Sequence, residues 1–193
     1  MEYFPAFIKL DKQNILIVGG GNIASNKLEQ LLSFTNNIKI ISPTINTKMK
    51  ALIQNHNLDF EKRFYEKNDL QNMNIVVVAI DDISLQKDIY LQSKQHNCLC
   101  NCVDNTDYCD FIFPSIIKKD NITIAISTGG ISPAFSKYFK KYLENLIPNN
   151  IEEFLNKMKN YRNTMPKGKQ RMEFLTNKVK KYFKDIGEKT DEI

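Results

Sequence analysis

Short apolar runs alternate with amphipathic helical patterns over the first 105 residues of this 193-residue chain. The clearest run, at 74–80, contains Ile-Val-Val-Val-Ala-Ile, which is typical of a strand buried on both faces. The rest of the series predicts strands at 14–18, 38–41, 58–62 and 98–103, and helices at 22–34, 44–55 and 84–96. Because strands that alternate with helices form parallel sheets with right-handed crossovers, we expect a Rossmann-like α/β domain.

The pattern changes after Asp104, where helices no longer separate successive strands. Two strand-like runs at 111–117 and 121–127 predict an antiparallel hairpin that residues 118–120 join. Ser132-Pro133 is typical of the N-cap and first residue of a helix, so a further helix is expected to begin there.

Two amphipathic stripes predict that the last part of the chain is helical. Their members are Ile151, Phe154, Leu155 and Met158 in one stripe, and Met172, Leu175, Val179, Tyr182 and Ile186 in the other. We therefore expect a Rossmann-like domain at 1–110, a small α+β module at 111–148 and a helical region at 149–193.

The first strand runs into Gly19-Gly20-Gly21-Asn22-Ile23-Ala24, a Gly-x-Gly-x-x-Ala pattern directly before a predicted helix. Gly19 permits the tight turn, Gly21 lets the backbone approach a pyrophosphate, and the small Ala24 lets helix and strand pack closely. The free N–H groups at the helix start would face the phosphates. Glycine turns also join strands to helices without binding a ligand, but the position of this one favours a dinucleotide site.

The end of the second strand bears on which dinucleotide binds. Enzymes of this fold that use NAD usually carry an Asp or Glu there, which bonds the ribose hydroxyls. This chain has Ser42-Pro43-Thr44 instead, with neither a carboxylate nor an Arg that would hold a 2′-phosphate. The Thr44 hydroxyl or backbone groups would have to serve the ribose, and the sequence favours NAD over NADP.

Asp104 follows the carboxyl end of a buried strand, where open α/β sheets bind their ligands. A carboxylate there can take a proton or hold a cation. It can equally satisfy backbone N–H groups of its own loop, and spacing alone slightly favours that second role. Asp81-Asp82 follows the preceding strand in the same way, and an N-cap role is favoured for it.

Ser127-Thr128-Gly129-Gly130 places hydroxyls and open backbone directly before a helix. Such a segment suits carboxylate or phosphate groups of a ligand, and it can equally be a flexible connection. The sequence leaves both interpretations open.

Four cysteines cluster at Cys98, Cys100, Cys102 and Cys109. The first three alternate with other residues, so they lie on one face of a strand, where side chains are about 6.5–7 Å apart. Structural zinc sites usually take their sulfurs from a Cys-x-x-Cys turn. Small buried thiols on a sheet face are therefore expected rather than a metal centre.

The chain carries a net charge of +5, and its basic excess lies in residues 151–193, which hold 11 basic and 7 acidic residues. This segment is either solvated helix surface or a surface that attracts a polyanionic small molecule. No nucleic-acid-binding motif accompanies the charge. No apolar run approaches the roughly 20 residues that span a bilayer, and the start lacks a secretory pattern. We expect a cytoplasmic protein without a nucleic-acid or membrane partner.

Taken together, these motifs resemble the precorrin-2 dehydrogenase/sirohydrochlorin ferrochelatase family, the dehydrogenase–chelatase module of siroheme synthase. The resemblance covers about residues 1–150, and no methyltransferase module follows, so the chain looks like the stand-alone form. The matching segments are Tyr3-Phe4-Pro5-Ala6-Phe7, residues 17–24 with Lys27, Asn101-Cys102-Val103-Asp104, residues 111–117 and residues 126–133.

The resemblance implies NAD-dependent oxidation of precorrin-2 to sirohydrochlorin, often joined by insertion of ferrous iron to give siroheme. It also implies a homodimer in which the second module makes the subunit contact. The essential aspartate of the family falls at Asp104, and its cofactor contacts fall at Asn22-Ile23 and Pro43-Thr44. A family serine falls at Thr128, which keeps the hydroxyl.

From residues and resemblance together, we predict Asp104 as the catalytic residue. The predicted cofactor site consists of Gly19, Gly21, Asn22, Ile23, Pro43 and Thr44, and the predicted substrate contacts are Ser127, Thr128 and Gly129. The alternatives are a dehydrogenase without chelatase activity, and a non-catalytic protein that senses NAD or carries a tetrapyrrole.

Overall fold

The structure, a computed structural model, describes residues 3–190 and divides the chain into two units. The first unit ends at Phe113 and the second begins at Pro114. Within the first unit, five parallel strands form one sheet in the order β3-β2-β1-β4-β5. The strands are β1 Ile15–Val18, β2 Ile38–Ile41, β3 Asp59–Glu61, β4 Ile75–Val78 and β5 Leu99–Cys102, and the helices are α1 Asn22–Leu32, α2 Thr47–His56 and α3 Ile83–Gln95.

Strand alternation divides the core of the first unit between the two faces of the sheet. Ile15 and Ile17 of β1 pack on the side of α1, whereas Leu16 and Val18 pack on the side of α3. All four residues of β1 and of β4 are buried, as their continuous apolar runs predict. The predicted Rossmann-like fold is confirmed.

Three predicted boundaries in the first unit are wrong for local reasons. The second helix begins at Thr47 rather than at 44, because the Asn46 side chain caps it by accepting a hydrogen bond from Met49 N (2.7 Å). The fourth and fifth strands are shorter than predicted and end at Val78 and Cys102. The residues that follow, Ala79, Ile80 and Val103, line a cleft, although the Ala79 and Val103 N–H groups still bond to the neighbouring strands. The predicted cap of α3 is confirmed at Asp82, which accepts from Leu85 N.

The second unit begins with a hairpin and continues with three helices. Its elements are β6 Ser115–Lys119, β7 Ile122–Ile126, α4 Pro133–Leu146, α5 Ile151–Thr164 and α6 Lys169–Thr190. The antiparallel hairpin is confirmed, but residues 118 and 119 belong to β6 and do not join the strands. The turn falls at Asp120, whose positive φ of 53° an Asp tolerates better than most residues. Ser132 caps α4 as predicted, accepting from Phe135 N (3.2 Å).

The hairpin starts later than the predicted strand because the first residues of that apolar run make contacts within the first unit. The Phe111 carbonyl accepts a hydrogen bond from the Asn101 side chain (2.8 Å), and the Phe113 ring lies under Lys27. Farther along, the Phe154 ring of α5 stacks on Tyr182 of α6, with 4.0 Å between ring centres. The small α+β module and the helical C-terminal region are confirmed, and the division at residues 110 and 148 stays a prediction.

None of the helices that the structure describes within residues 3–190 is both long and apolar enough to span a membrane.

Candidate active site

A cleft of about 940 Å³ opens at the carboxyl edge of the parallel sheet in the first unit. Carboxyl ends of parallel strands share one edge, so the loops after β1, β2, β4 and β5 converge there. The cleft brings together seven residues of the predicted site: Gly19, Gly21, Asn22, Ile23, Pro43, Thr44 and Asp104.

The glycine turn after β1 has a different reason for glycine at each end. At Gly19, φ is +124° and a Cβ atom would lie 2.2 Å from the Ala79 carbonyl oxygen, so the fold itself excludes a side chain. At Gly21 a Cβ would meet no heavy atom within 4 Å. Packing therefore does not require glycine at position 21, whereas a ligand that occupies the cleft would.

Helix α1 begins directly after Gly21, and no side chain among residues 3–190 caps it. The first N–H groups of an α-helix have no partner within the helix, and they carry its positive dipole end. Open space at Gly21 and uncapped N–H groups beside it are the features that receive a pyrophosphate. The residues present therefore fit a dinucleotide.

Asn46 fixes the turn against the loop that follows β2. Its backbone N–H donates to the Gly20 carbonyl (3.0 Å), and its side-chain amide donates to the Asn22 side-chain oxygen (2.8 Å). The fully buried Ser25 hydroxyl donates to the Gly21 carbonyl (2.8 Å) and lies 3.0 Å from the Asn46 side-chain oxygen. Asn46 was missed at the sequence level, although an Asn two residues past Thr44 is a good N-cap signal.

The loop after β2 supplies hydroxyl and backbone groups to the cleft. The Ser42 side chain is buried, and its hydroxyl donates to the Thr44 carbonyl (2.6 Å), which leaves Thr44 as the exposed hydroxyl of this loop. No Lys or Arg is among the described residues that line the cleft.

Asp104 lies at the opposite side of the cleft, just past β5. Its side chain is exposed, its backbone has a φ of 62°, and no residue within 3–190 donates a hydrogen bond to its carboxylate. The loop role that spacing slightly favoured for Asp104 is wrong, because Asn105 fills it by accepting from Asp107 N (3.2 Å). Asp104 therefore presents a carboxylate that the local fold does not use.

Lys27 of α1 is a charged neighbour of Asp104 that sequence reasoning gave no role. The side chain is half-buried, and its ammonium lies 4.3 Å from the centre of the Phe113 ring. Burial lowers the pKa of Lys27, while the negative charge of Asp104 acts to raise it. The sequence contained a signal, since position 27 lies between Ala24 and Leu31 on the apolar face of the helix.

The predicted substrate contacts belong to the second unit, in the loop before α4. The Ser127 hydroxyl accepts from Gly129 N (3.1 Å), and the Thr128 hydroxyl accepts from Ser132 N (3.1 Å). The loop therefore contains hydrogen bonds of its own. Its role toward a substrate stays a prediction.

All four cysteines are buried, as predicted. The Cys100 and Cys102 sulfurs approach to 3.7 Å, closer than the expected spacing along a strand face, because side chains can lean along the strand. Burial raises the pKa of Cys98 to about 12, which keeps that thiol neutral. Within the described chain, no group of three or more His, Cys, Asp or Glu residues could hold a metal ion.

The chain is similar in sequence to one protein family and to several named proteins. A family model described as "Putative NAD(P)-binding" matches residues 6–115. The siroheme synthase of Pseudoalteromonas atlantica is 38% identical over 151 residues, which cover 78% of this chain and 33% of the relative. The siroheme synthase of Nitrosomonas eutropha is 35% identical over 149 residues, or 77% and 31% of the two chains. The chain thus spans about a third of the length of these relatives.

A solved structure named "SirC, precorrin-2 dehydrogenase" has the same fold, with a TM-score of 0.75 and 24% identity. The match covers 91% of this chain and 88% of that one. The family model covers more than half of the chain and includes the glycine turn, the other three loops of the cleft and Asp104. The predicted nicotinamide dinucleotide cofactor is thereby confirmed. The chain belongs to this NAD(P)-binding family, and its predicted resemblance to the dehydrogenase–chelatase module of siroheme synthase is confirmed.

Proposed function

We propose that this chain is a cytoplasmic enzyme that oxidises precorrin-2 to sirohydrochlorin with NAD as hydride acceptor. The observation that carries the proposal is the Asp104 carboxylate, which lies at the edge of a dinucleotide cleft without a hydrogen-bond partner among the described residues. The oxidation removes two electrons as a hydride and also releases one proton. An exposed carboxylate beside the cofactor cleft is suited to accept that proton.

Residues at different positions in the cleft would contact different parts of the cofactor and substrate. The helix start after Gly21 would hold the pyrophosphate, and the loop carrying Thr44 would hold the adenosine ribose. When bound, NAD supplies the hydride-accepting ring. Asp104 would take the proton, and the positive charge of Lys27 would attract the Asp104 carboxylate.

Two further observations support this proposal. Relatives at 38% and 35% identity are named siroheme synthase, and the motifs of the dehydrogenase–chelatase module match in order along residues 1–150. The absence of Lys and Arg among the described cleft residues, together with the Asp81 carboxylate there, supports NAD over NADP. A 2′-phosphate would find no cation in that cleft.

The replacement Asp104→Asn tests the proposal. The amide has nearly the same shape and tolerates a positive φ, but it cannot accept the proton, so we expect at least a hundredfold loss of precorrin-2 oxidation with NAD binding and fold retained. An anaerobic assay would follow NADH and the sirohydrochlorin spectrum. Asp81→Asn is the matched control, because Asp81 also lines the cleft and its loss should leave turnover near that of the wild type.

Near-wild-type turnover in Asp104→Asn would overturn the catalytic assignment. NAD binding without any turnover in the wild type would instead favour a protein that senses the nucleotide. Tetrapyrrole binding without nucleotide binding would favour a carrier.

We also propose that Asp104 serves ferrochelation of sirohydrochlorin, with ferrous iron as a substrate. Metal insertion requires removal of pyrrole protons, and the same exposed carboxylate could accept them. Anaerobic addition of ferrous ion to sirohydrochlorin tests this activity separately from oxidation. Oxidation without metal insertion would identify a dehydrogenase that depends on another chelatase.

We further propose a homodimer formed through α4, together with substrate contacts from Ser127, Thr128 and Gly129. Four apolar side chains along one side of this helix are exposed, and so is Ile131 just before the helix. These five residues are here called the α4 stripe: Ile131, Phe135, Tyr138, Tyr142 and Leu146, at 90%, 55%, 72%, 59% and 58% exposure. A continuous apolar surface of this kind is typical of a protein interface.

A further inference from the structure

Gln86, in the first turn of α3, combines deep burial with an unused hydrogen-bond acceptor. Only 5% of its surface is exposed, although the residue lines the cleft. Its side-chain N–H donates to the Ile80 carbonyl (2.7 Å), whereas its side-chain oxygen is buried with no partner among the described residues. Buried polar atoms are rarely left unpaired, because each one costs free energy that a partner would recover.

The orientation of the Gln86 amide follows from its contact with Ile80. A backbone carbonyl only accepts hydrogen bonds, so the amide must turn its NH₂ group toward Ile80 and its oxygen away. The helix itself is held in place here, since the Gln86 carbonyl accepts a weak hydrogen bond from the Cys102 thiol of β5 (3.7 Å). The unpaired atom is therefore an acceptor with almost no accessible surface. A ligand that satisfies it must bring a donor and shift the side chains that cover the oxygen.

The place of Gln86 in the cleft indicates which part of the cofactor is concerned. The glycine turn and Thr44 mark the pyrophosphate and adenosine side, whereas Gln86 lies with Ile80, Val103 and Asp104 at the ends of β4 and β5. A hydride-accepting ring must lie on the side of Asp104 if hydride and proton leave the same substrate. The nicotinamide ring carries a carboxamide whose NH₂ group is a hydrogen-bond donor.

We propose that Gln86 is a positioning residue whose side-chain oxygen accepts a hydrogen bond from the carboxamide N–H of the nicotinamide ring. The contact would fix the rotation of the ring beside Asp104. The choice of this half of the cofactor rests on the proposed function, but the contact itself is a property of nucleotide binding and can be measured without precorrin-2.

Calorimetric titration with three nucleotides tests the contact. NAD carries the carboxamide, 3-acetylpyridine adenine dinucleotide keeps the ring and the carbonyl but lacks the N–H donor, and ADP-ribose lacks the ring. We expect the wild-type protein to bind NAD about tenfold more tightly than the acetylpyridine analogue, as for one hydrogen bond to a buried acceptor. We expect Gln86→Met to bind both dinucleotides with the same affinity, as in a double-mutant cycle.

Two controls separate loss of the contact from loss of the fold. ADP-ribose should bind Gln86→Met as it binds the wild type. Gln92→Met makes the same exchange two turns along α3, where Gln92 accepts from the Tyr65 hydroxyl (2.8 Å) and does not line the cleft, and it should keep the tenfold preference for NAD. The comparison of analogues on the unaltered protein needs no variant at all.

Equal affinity of the wild type for NAD and for the acetylpyridine analogue would overturn the proposal. An equal loss of affinity for both dinucleotides in Gln86→Met would also overturn it, because the donor would then be a ribose hydroxyl or another group. Retained preference in that variant would do the same. A protein that prefers NAD through Gln86 but does not oxidise precorrin-2 would refute the proposed function and leave this contact standing.

Discussion

The two units of the chain differ in what they bury and in what they leave open. The first unit covers both faces of its sheet with helices and loops, and its described opening is a cleft lined by glycines, amides, carboxylates and apolar side chains. In the second unit, among residues 114–187, the buried apolar side chains are Ile117, Ile126 and Ile151. This unit has little core of its own and exposes the α4 stripe to solvent.

Each of these two surfaces suits a different kind of partner. A cleft that contains an uncapped helix start is satisfied by a charged small molecule, whose removal leaves the fold intact. An exposed apolar stripe is satisfied by another protein surface, whose removal exposes the stripe to water and weakens the unit. The first unit should therefore fold independently of its ligand, whereas the stability of the second should depend on its partner.

The largest effect is expected in the glycine turn of the first unit, where Gly19 is required for folding and Gly21 for ligand binding. Gly19→Ala would place a Cβ 2.2 Å from the Ala79 carbonyl oxygen at a φ of +124°, so we expect a loss of about 4 kcal/mol or no folded protein. Gly21→Ala meets no atom within 4 Å, so it should unfold like the wild type yet bind NAD at least tenfold more weakly. Thermal unfolding and NAD titration of both variants check the pair. A stable Gly19→Ala, or a Gly21→Ala with unchanged affinity, would contradict this account of the turn.

The second effect concerns the α4 stripe. Tyr138→Glu/Tyr142→Glu places two charges on the stripe, and we expect a monomer in which hydrogen exchange is faster in the second unit and unchanged in the first. Sedimentation velocity gives the oligomeric state, and NAD titration should show that the cleft of the first unit still binds. Lys137→Glu, an exposed residue on another side of α4, is the control and should remain dimeric. A wild-type monomer would refute the dimer, and a dimeric double variant would refute the stripe as its interface.

Much of the first unit could be predicted because its buried positions recur regularly along the sequence. Buried parallel strands read as continuous apolar runs, and the glycine turn has a spacing that few other structures need. Strand ends were placed too far out because the pattern cannot distinguish an apolar residue of the sheet, such as Val78, from one that lines the cleft, such as Ala79.

The predicted site missed those residues whose role depends on surroundings that only the folded chain supplies. Gln86 and Lys27 are polar residues on apolar helix faces, a visible signal that does not reveal what lies opposite. The sequence also could not show which of Asp104 and Asn105 accepts the backbone hydrogen bond of this loop. Both side chains are able to accept it, and only the backbone geometry decides which one does.

The smallest expected effect concerns Lys27, and it tests whether this charged residue beside the cleft lowers the stability of the first unit. The ammonium of Lys27 is half-buried, and burial lowers its pKa from 10.5 because the charged form loses hydration, while Asp104 and Cys109 act in the opposite direction. Lys27→Met keeps the length and the contact with the Phe113 ring but removes the charge. We expect a melting temperature equal to that of the wild type or a few degrees higher near neutral pH, with about tenfold slower precorrin-2 oxidation.

The pH dependence of that variant decides whether the charge is the cause. Because the pKa of Lys27 is lower in the folded state, the wild type gains stability as pH rises from the folded value toward 10.5, where the unfolded chain still binds the proton. The stability difference between Lys27→Met and the wild type should therefore shrink over this range in thermal unfolding. Lys50→Met, an exposed lysine on α2, controls for the loss of one charge and should oxidise precorrin-2 at the wild-type rate. If Lys27→Met is less stable than the wild type at every pH and is fully active, Lys27 stabilises the packing of the Phe113 segment and does not assist Asp104. The charged residue beside the cleft would then not lower the stability of the first unit.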